Sequence, residues 1–149
     1  MTTSNMAIIV GALADVLRAE DAEPLAGLLD ENVVWEGVES GQRCDGRDQS
    51  MGVIGGFFDN RRLTFDRLEM HARRDVVVVG MHGPGLNGTP GDFESAGQVF
   101  HVLTLRDGAV IRWKAYRDRS EALAAAEPGR PAPALADRPQ GSGPVVAGL

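Results

Sequence analysis

The sequence predicts an α+β fold in which helices pack on one face of a curved, mostly antiparallel sheet. The hydrophobic patterns give the order helix, helix, strand, helix, then four strands and a closing helix. An Asp107-Gly108 pair separates the last two strands and indicates a tight hairpin, because both residues tolerate positive φ. The chain has 149 residues, 43% of them apolar, which suits one globular domain with its own core.

Three helices are predicted before the main run of strands, over residues 8–19, 21–32 and 47–59. Ser4 or Asn5 is placed to cap the first helix, and Leu17 belongs to its apolar face. Pro24 is tolerated in the first turn of the second helix. The third helix presents Phe58 on its apolar side, but it contains three glycines that each cost roughly 1 kcal/mol relative to Ala. Tertiary packing must therefore hold this helix.

Five strands are predicted, over residues 33–37, 63–71, 75–82, 98–105 and 110–117. The continuously apolar run at 75–82 is typical of a central strand. The run at 63–71 changes parity between Phe65 and Leu68, which predicts a bulge. Polar residues at 39–46 and a Gly/Pro-rich segment at 83–92 are predicted loops. After the last strand, Asp118 is well placed as the N-cap of a short Ala-rich helix.

Composition and charge indicate where the domain ends and which classes of partner are excluded. From residue 127 onward Pro, Gly and Ala dominate without periodicity, which predicts a domain over 1–126 and a flexible tail over 127–149. A net charge of −6 argues against a nucleic-acid partner. The single Cys44 excludes an intrachain disulfide and a thiolate metal cluster. No apolar run approaches the ~20 residues of a membrane span, so we expect no membrane partner and a cytoplasmic location.

Three stretches carry a resemblance over about residues 7–126: LLDENVVWEGVESGQRCDGRDQSMGVIGGFF, then VVVVGMHGPG, then FHVLTLRDGAVIRWKAYRD with SEALAAA. In element order and in the Gly46-Arg47 helix entrance they resemble the nuclear transport factor 2-like superfamily. That superfamily includes SnoaL-like polyketide cyclases, ketosteroid isomerase and limonene-epoxide hydrolase. The resemblance implies a cone-shaped, cystatin-like roll, a deep apolar pocket between the helices and the concave sheet face, and a homodimer.

The resemblance also implies positions for polar groups. The proton-shuttling carboxylate of ketosteroid isomerase lies on the short strand before the third helix, and with a one-residue gap this position is Glu36. Limonene-epoxide hydrolase activates water with an Asp-Arg-Asp set. One of those Asp positions is Ala115 here, and the other two members fall near Met81 and Gly83. Epoxide hydrolysis is therefore the less favoured alternative.

Alternation along the strands indicates where the candidate acid–base side chains can lie. Glu36 shares parity with Val34, so it faces either the pocket, where desolvation would raise its pKa and suit it to general-base work, or the solvent at the rim. His101 lies among apolar residues of its own parity. It is either an acid, base or donor in the pocket or a structural histidine bonded to backbone. His82, at a strand end, lies either at the pocket mouth or in solvent.

The last strand has two different faces. Trp113 and Arg117 share the inner parity, so Trp113 is either a pocket wall or plain core, and Arg117 lies nearer the mouth. Arg112, Lys114 and Tyr116 share the outer parity. Because we expect the helices to cover only the other side of the sheet, this outer face is the predicted dimer contact.

The leading hypothesis is a SnoaL-like pocket protein that acts on an apolar oxygenated metabolite by proton transfer without a cofactor. The reaction is an isomerisation, cyclisation or dehydration, with Glu36 as base and His101 or His82 as its partner. The predicted substrate contacts are Trp113, Val34, Leu17, Phe58, Val99, Leu103 and Arg117. The rival hypothesis is a non-catalytic ligand-binding or dimerisation module. The three histidines lack a compact metal-ligand spacing, so no metal is expected.

Overall fold

The computed structural model describes residues 4–39, 41–59, 67–83 and 97–127, with the backbone alone at 57–59. The helical elements are α1 (Asn5–Ala19), a 3₁₀ helix (Glu23–Gly27), α2 (Arg47–Asp59) and α3 (Arg119–Ala125). The strands are β1 (Leu29–Glu36), β2 (Arg43–Asp45), β3 (Arg67–Arg73), β4 (Val76–His82), β5 (Gln98–Arg106) and β6 (Ala109–Tyr116). They form a six-stranded sheet in the order β2-β1-β6-β5-β4-β3. β1 runs parallel to β6, and the other neighbours are antiparallel.

Alternation along the strands gives the sheet two faces. The inner face packs against α1, the 3₁₀ helix and α2, and its side chains include Val33, Trp35, Leu68, Met70, Val77, Val79, Met81, Val99, Leu103, Leu105 and Trp113. The outer face packs against α3, and its apolar side chains are Val76, Val78, Phe100, Val102 and Tyr116. The predicted α+β class, with three helices on one face of a curved sheet, is confirmed.

Helix α3 corrects one expectation about the sheet, because it covers part of the outer face that was predicted to stay uncovered. Ala122 of this helix and its C-cap residue Ala126 are buried against that face. Small side chains at these positions let the helix lie close to Val78 and Phe100, both of which are fully buried. Asp118 caps α3 as predicted, since its carboxylate accepts a hydrogen bond from the Glu121 backbone N–H at 2.9 Å.

Helix α1 begins as the sequence predicts, because the Ser4 hydroxyl accepts a hydrogen bond from the Ala7 backbone N–H at 3.1 Å. Ile9 and Val16 are buried one above the other on its sheet-facing side. Leu17 lies about 100° further round the helix and is 55% exposed. Leu17 therefore lies outside the buried stripe of α1, and its contact with a ligand stays a prediction.

Two strand boundaries differ from the sequence prediction, and long-range pairing explains both. The predicted helix over 21–32 is only a 3₁₀ helix, because Leu29 pairs with Val110 of β6 and starts β1. The predicted loop at 39–46 contains β2, because Cys44 pairs with Trp35 and is buried beside it. Neither partner can be read from local periodicity.

The predicted hairpin is confirmed: Asp107 and Gly108 have φ values of 54° and 82° and join β5 directly to β6. β3 pairs with β4 without a register shift from residue 67 onward. The predicted bulge between Phe65 and Leu68 lies mostly outside the described residues. The loop over 84–92 and the tail over 128–149 also lie outside them. Among the described helices, none is long and apolar enough to cross a membrane.

The outer face has a close approach at Gly80 in β4, which pairs with Phe100 of β5. The Phe100 ring and the stem of Glu69 lie directly over this glycine. A Cβ atom built at Gly80 would lie 2.5 Å from Phe100 Cε2 and 2.8 Å from Glu69 Cγ. Because Gly80 has no side chain, the Phe100 ring and the Glu69 stem can occupy the space above it.

Candidate functional site

A buried imidazole, His101, lies on the inner face of β5, between β4 and β6. It pairs with Val79 of β4 on one side and with Ala115 of β6 on the other. Trp113, diagonally across on β6, donates a hydrogen bond from its indole Nε1 to His101 Nδ1 at 2.9 Å. The two rings meet edge to face, with centroids 5.5 Å apart and planes at 89°.

The hydrogen bond from Trp113 determines the protonation of His101. An indole N–H can only donate, so Nδ1 must carry its lone pair, and the proton of the neutral imidazole is on Nε2. Burial lowers the pKa of His101 to about 4, which keeps the ring neutral at pH 7. The Nε2 atom is buried and has no hydrogen-bond partner within the described residues. His101 therefore presents an unused N–H donor inside an apolar layer.

This arrangement restricts what His101 can do. The lone pair of Nδ1 is already engaged by Trp113, so the ring has no free basic nitrogen. The imidazolium needed for proton donation is disfavoured by burial at neutral pH. What remains is hydrogen-bond donation from Nε2 to an oxygen or nitrogen that arrives from outside this part of the chain.

Glu36 lies on the outer face, where sequence reasoning allowed a pocket position. The register pairs Trp35 with Trp113 and Glu36 with Lys114, so the two tryptophans share the inner face and the carboxylate faces away from it. Arg112 Nη2 donates to Glu36 Oε1 at 3.0 Å, and both side chains are half-buried. The prediction that Glu36 shares a cavity with His101 and Trp113 is wrong. Val34, of the same parity, also lies on the outer face.

His82 also lies on the outer face, because its inner-face neighbour in β4 is Met81. Its ring meets Phe100 edge to face at 5.5 Å, and its Nε2 lies 3.0 Å from Glu69 Oε1. The whole sheet separates it from the inner face that holds His101. The prediction that His82 assists at the mouth of an inner-face pocket is therefore wrong.

Glu69 is the centre of an outer-face cluster that sequence reasoning did not single out. Its carboxylate contacts His71 at 2.7 Å, His82 at 3.0 Å and Arg119 of α3 at 3.0 Å. Burial alone would raise the pKa of Glu69, but the hydrogen bonds from these three side chains outweigh it and lower the pKa to about 2. The shared parity of Glu69 and His71 was a local signal, but His82 comes from the next strand and Arg119 from a distant helix.

The other predicted ligand contacts fall into three groups. Val99 and Leu103 lie on the inner face beside His101, as predicted. Arg117 follows β6, is half-buried, and accepts a hydrogen bond at its backbone carbonyl from Gln98 Nε2 at 2.7 Å. Phe58 belongs to α2, but its side chain lies outside the described atoms. In the described ranges, no group of three or more His, Cys, Asp or Glu side chains is placed to hold a metal ion.

The positions aligned with the epoxide-hydrolase set are also resolved. Met81 and Ala115 are both buried on the inner face, and Gly83 directly follows β4. None of the three has an ionisable side chain, so these positions offer no carboxylate to activate water.

Comparison with known proteins gives a family match and a set of similar structures. Residues 10–113 match the SnoaL-like domain family. No curated protein matches the chain. A similar solved structure is an NTF2-like protein of unknown function from Cytophaga hutchinsonii, with 13% identity and a TM-score of 0.59, over 83% of this chain and 97% of that one.

Two further similar structures belong to proteins with a described activity or ligand. A putative polyketide cyclase from Sinorhizobium meliloti is 19% identical over 76% of this chain and 99% of that chain, with a TM-score of 0.52. TerC, co-crystallised with polyporic acid, is 22% identical over 82% of this chain and 96% of that chain, with a TM-score of 0.53. At these identities the likeness shows the fold, and it confirms the fold that the sequence predicts.

Proposed function

The chain belongs to the SnoaL-like domain family, and from that premise we propose that it binds an apolar, oxygen-containing small molecule against its inner face. The observation that carries this proposal is the Nε2 atom of His101, which is buried without a partner in the described chain. A buried donor left unpaired costs about 1–3 kcal/mol, so an incoming acceptor would recover that cost. Val99, Leu103 and Trp113 supply apolar surface beside it. The TerC complex with polyporic acid supports a small molecule as the ligand class.

Proton transfer is the second candidate function, as isomerisation, cyclisation or dehydration. The observation that favours it is the neutral state of His101, because a fixed neutral N–H donor in an apolar site stabilises negative charge that develops on a substrate oxygen. In such a reaction His101 holds the oxyanion and does not act as the base, so the proton passes to a basic group of the substrate or to solvent. Glu36 takes no part, because it lies on the other face and is paired with Arg112.

Binding on the inner face can be tested with the histidines themselves. The chain has three, and only His101 lies on the inner face, whereas His71 and His82 contact Glu69 on the outer face. With ¹⁵N-labelled protein, millimolar tetralin or 1-tetralone is expected to shift the ring signals of His101 and the indole signal of Trp113. The signals of His71 and His82 serve as the internal control and should stay in place. If neither probe moves the His101 signals, inner-face binding is rejected.

We also propose a homodimer. Its contact surface is the part of the outer face on β1 and β6 that α3 leaves uncovered. Glu36, Arg112 and Lys114 lie there as half-buried charged side chains. Burial lowers the pKa of Lys114, and the neighbouring Glu36 partly offsets that effect. A second copy of the same patch could pair its carboxylates with these cations around a twofold axis.

The homodimer predicts a dimeric mass in sedimentation at micromolar concentration. Lys114→Glu should shift the protein towards monomer, because it places like charges beside Glu36 in both copies. Arg73→Glu is the matched control: Arg73 is an exposed cation on the outer parity of β3, at the far edge of the sheet, and its loss should leave the mass unchanged. A wild-type protein that sediments only as a monomer would reject the dimer.

A further inference from the structure

We infer that the ligand presents a neutral carbonyl oxygen to His101 Nε2–H, and that Trp113 is the positioning residue that keeps the proton on this nitrogen. A ketone or a quinone has the required chemistry. This inference rests on the proposed binding function and adds to it the chemical class of the group that His101 recognises.

The tautomer of His101 follows from its contact with Trp113. Trp113 Nε1 and His101 Nδ1 are 2.9 Å apart, a normal hydrogen-bond length. If the proton were on Nδ1, two N–H groups would face each other across that distance, and neither nitrogen could accept. The perpendicular packing of the two rings, at 89°, keeps the indole N–H directed at the imidazole edge. Trp113 therefore selects the tautomer in which Nε2 is the donor.

The side chains around the Nε2 donor are apolar. The strand neighbours of His101 are Val79 and Ala115, and the next residues of its own parity are Val99 and Leu103. None of these side chains can accept a hydrogen bond. Ala115, directly opposite His101, carries only a methyl group as its side chain. These four neighbours thus place a small side chain beside the donor and give it no acceptor, and Nε2 has no partner among the other described residues either.

The apolar surroundings of His101 favour an uncharged ligand group. A carboxylate or phosphate moved into this apolar layer would lose its hydration without meeting a cation, since His101 is neutral. A protonated amine has no lone pair to accept from Nε2–H. A hydroxyl group can accept, but its own proton would then be buried without a partner. A neutral carbonyl oxygen accepts the hydrogen bond and adds no further donor, so it fits the site best.

The test compares 1-tetralone with tetralin, which lacks the carbonyl, on the wild type and on matched variants. The wild type is expected to bind tetralone about threefold to tenfold more tightly than tetralin, the gain of one neutral hydrogen bond. The infrared band of a ¹³C-labelled carbonyl should move to lower frequency on binding. His101→Asn keeps an amide oxygen that can accept from Trp113 but removes the Nε2 donor, so both effects should disappear. His101→Gln places an amide N–H nearer the Nε2 position and should restore part of the shift.

The role of Trp113 as a positioning residue is tested by measuring the tautomer of His101. A loss of packing alone would not change this tautomer. In wild-type protein the ¹⁵N signals of His101 should show protonated Nε2 and unprotonated Nδ1. Trp113→Phe removes the indole donor, and both tautomers of His101 should then become populated while the preference for tetralone falls.

Three outcomes contradict the proposals, and they can be told apart. If the ¹⁵N signals show that wild-type His101 is protonated on Nδ1, the inference is overturned before any ligand or variant is tested. If both probes shift the His101 signals but bind equally and the carbonyl band does not move, the inference is overturned and the binding function stands. If neither probe reaches His101, the binding function fails and the carbonyl inference falls with it.

Discussion

Acidification from pH 7 to pH 4 is expected to lower the free energy of unfolding by about 3 kcal/mol through His101 alone. Burial lowers the pKa of this histidine from its ordinary 6.5 to about 4 in the folded chain. Between those two values the unfolded chain binds a proton that the folded chain does not. Stability from the buried neutral ring is therefore fully present above pH 6.5 and is lost as the pH falls towards 4.

Urea unfolding of the wild type and of His101→Gln at pH 7, 5.5 and 4.5 isolates this effect. The variant has no group that titrates at this position, so its stability should fall much less over the same range. Glu69 affects the pH dependence of stability only below this range. Its pKa is lowered to about 2, so its contribution to the free energy of unfolding is lost between about pH 4.5 and 2. Equal slopes in the two proteins would show that His101 is not held neutral by burial.

Gly80→Ala is expected to destabilise the fold by about 1–3 kcal/mol, the usual cost of overpacking a full site. The added methyl group would lie 2.5 Å from Phe100 Cε2, and that ring is fully buried and cannot withdraw. The other neighbour, the stem of Glu69, is held by its contacts to His71, His82 and Arg119. Alanine restricts the unfolded chain by roughly 0.5–1 kcal/mol relative to glycine, but this gain is smaller than the clash.

Gly11→Ala in α1 is the matched control, because a Cβ at this exposed position has no neighbour within 4 Å. Alanine there should stabilise the protein by up to about 1 kcal/mol through helix propensity. Thermal unfolding of both variants gives the comparison. A Gly80→Ala protein as stable as the wild type would mean that Phe100 and Glu69 move aside at little cost.

Features that depend on a few neighbouring residues could be predicted from the sequence. The Ser4 cap of α1, the Asp118 cap of α3 and the Asp107-Gly108 turn each rest on a side chain or a φ value within four residues. Alternation along β5 and β6 also placed His101 and Trp113 on one face. The sequence does not reveal their hydrogen bond, because it depends on the register between the two strands.

Features that depend on distant pairing could not be predicted. Parity states that Trp35 and Glu36 point to opposite faces, but not which of them points inward. Their pairing with β6 decides that question, since Trp35 lies beside Trp113. The same pairing starts β1 at Leu29, in the middle of a run that is helical by periodicity. The resemblance to ketosteroid isomerase matched Glu36 by position along the chain, and position along the chain does not determine the face.

The parallel pairing of β1 with β6 also constrains the order of assembly on the ribosome. Trp35 and Trp113 are neighbours in the sheet but roughly 80 residues apart in the chain. While the chain is being translated, α1, β1 and α2 emerge first, and one edge of β1 has no partner until β6 has been synthesised. The N-terminal half therefore cannot complete its core alone, and the nascent chain keeps an unpaired strand edge until β6 arrives.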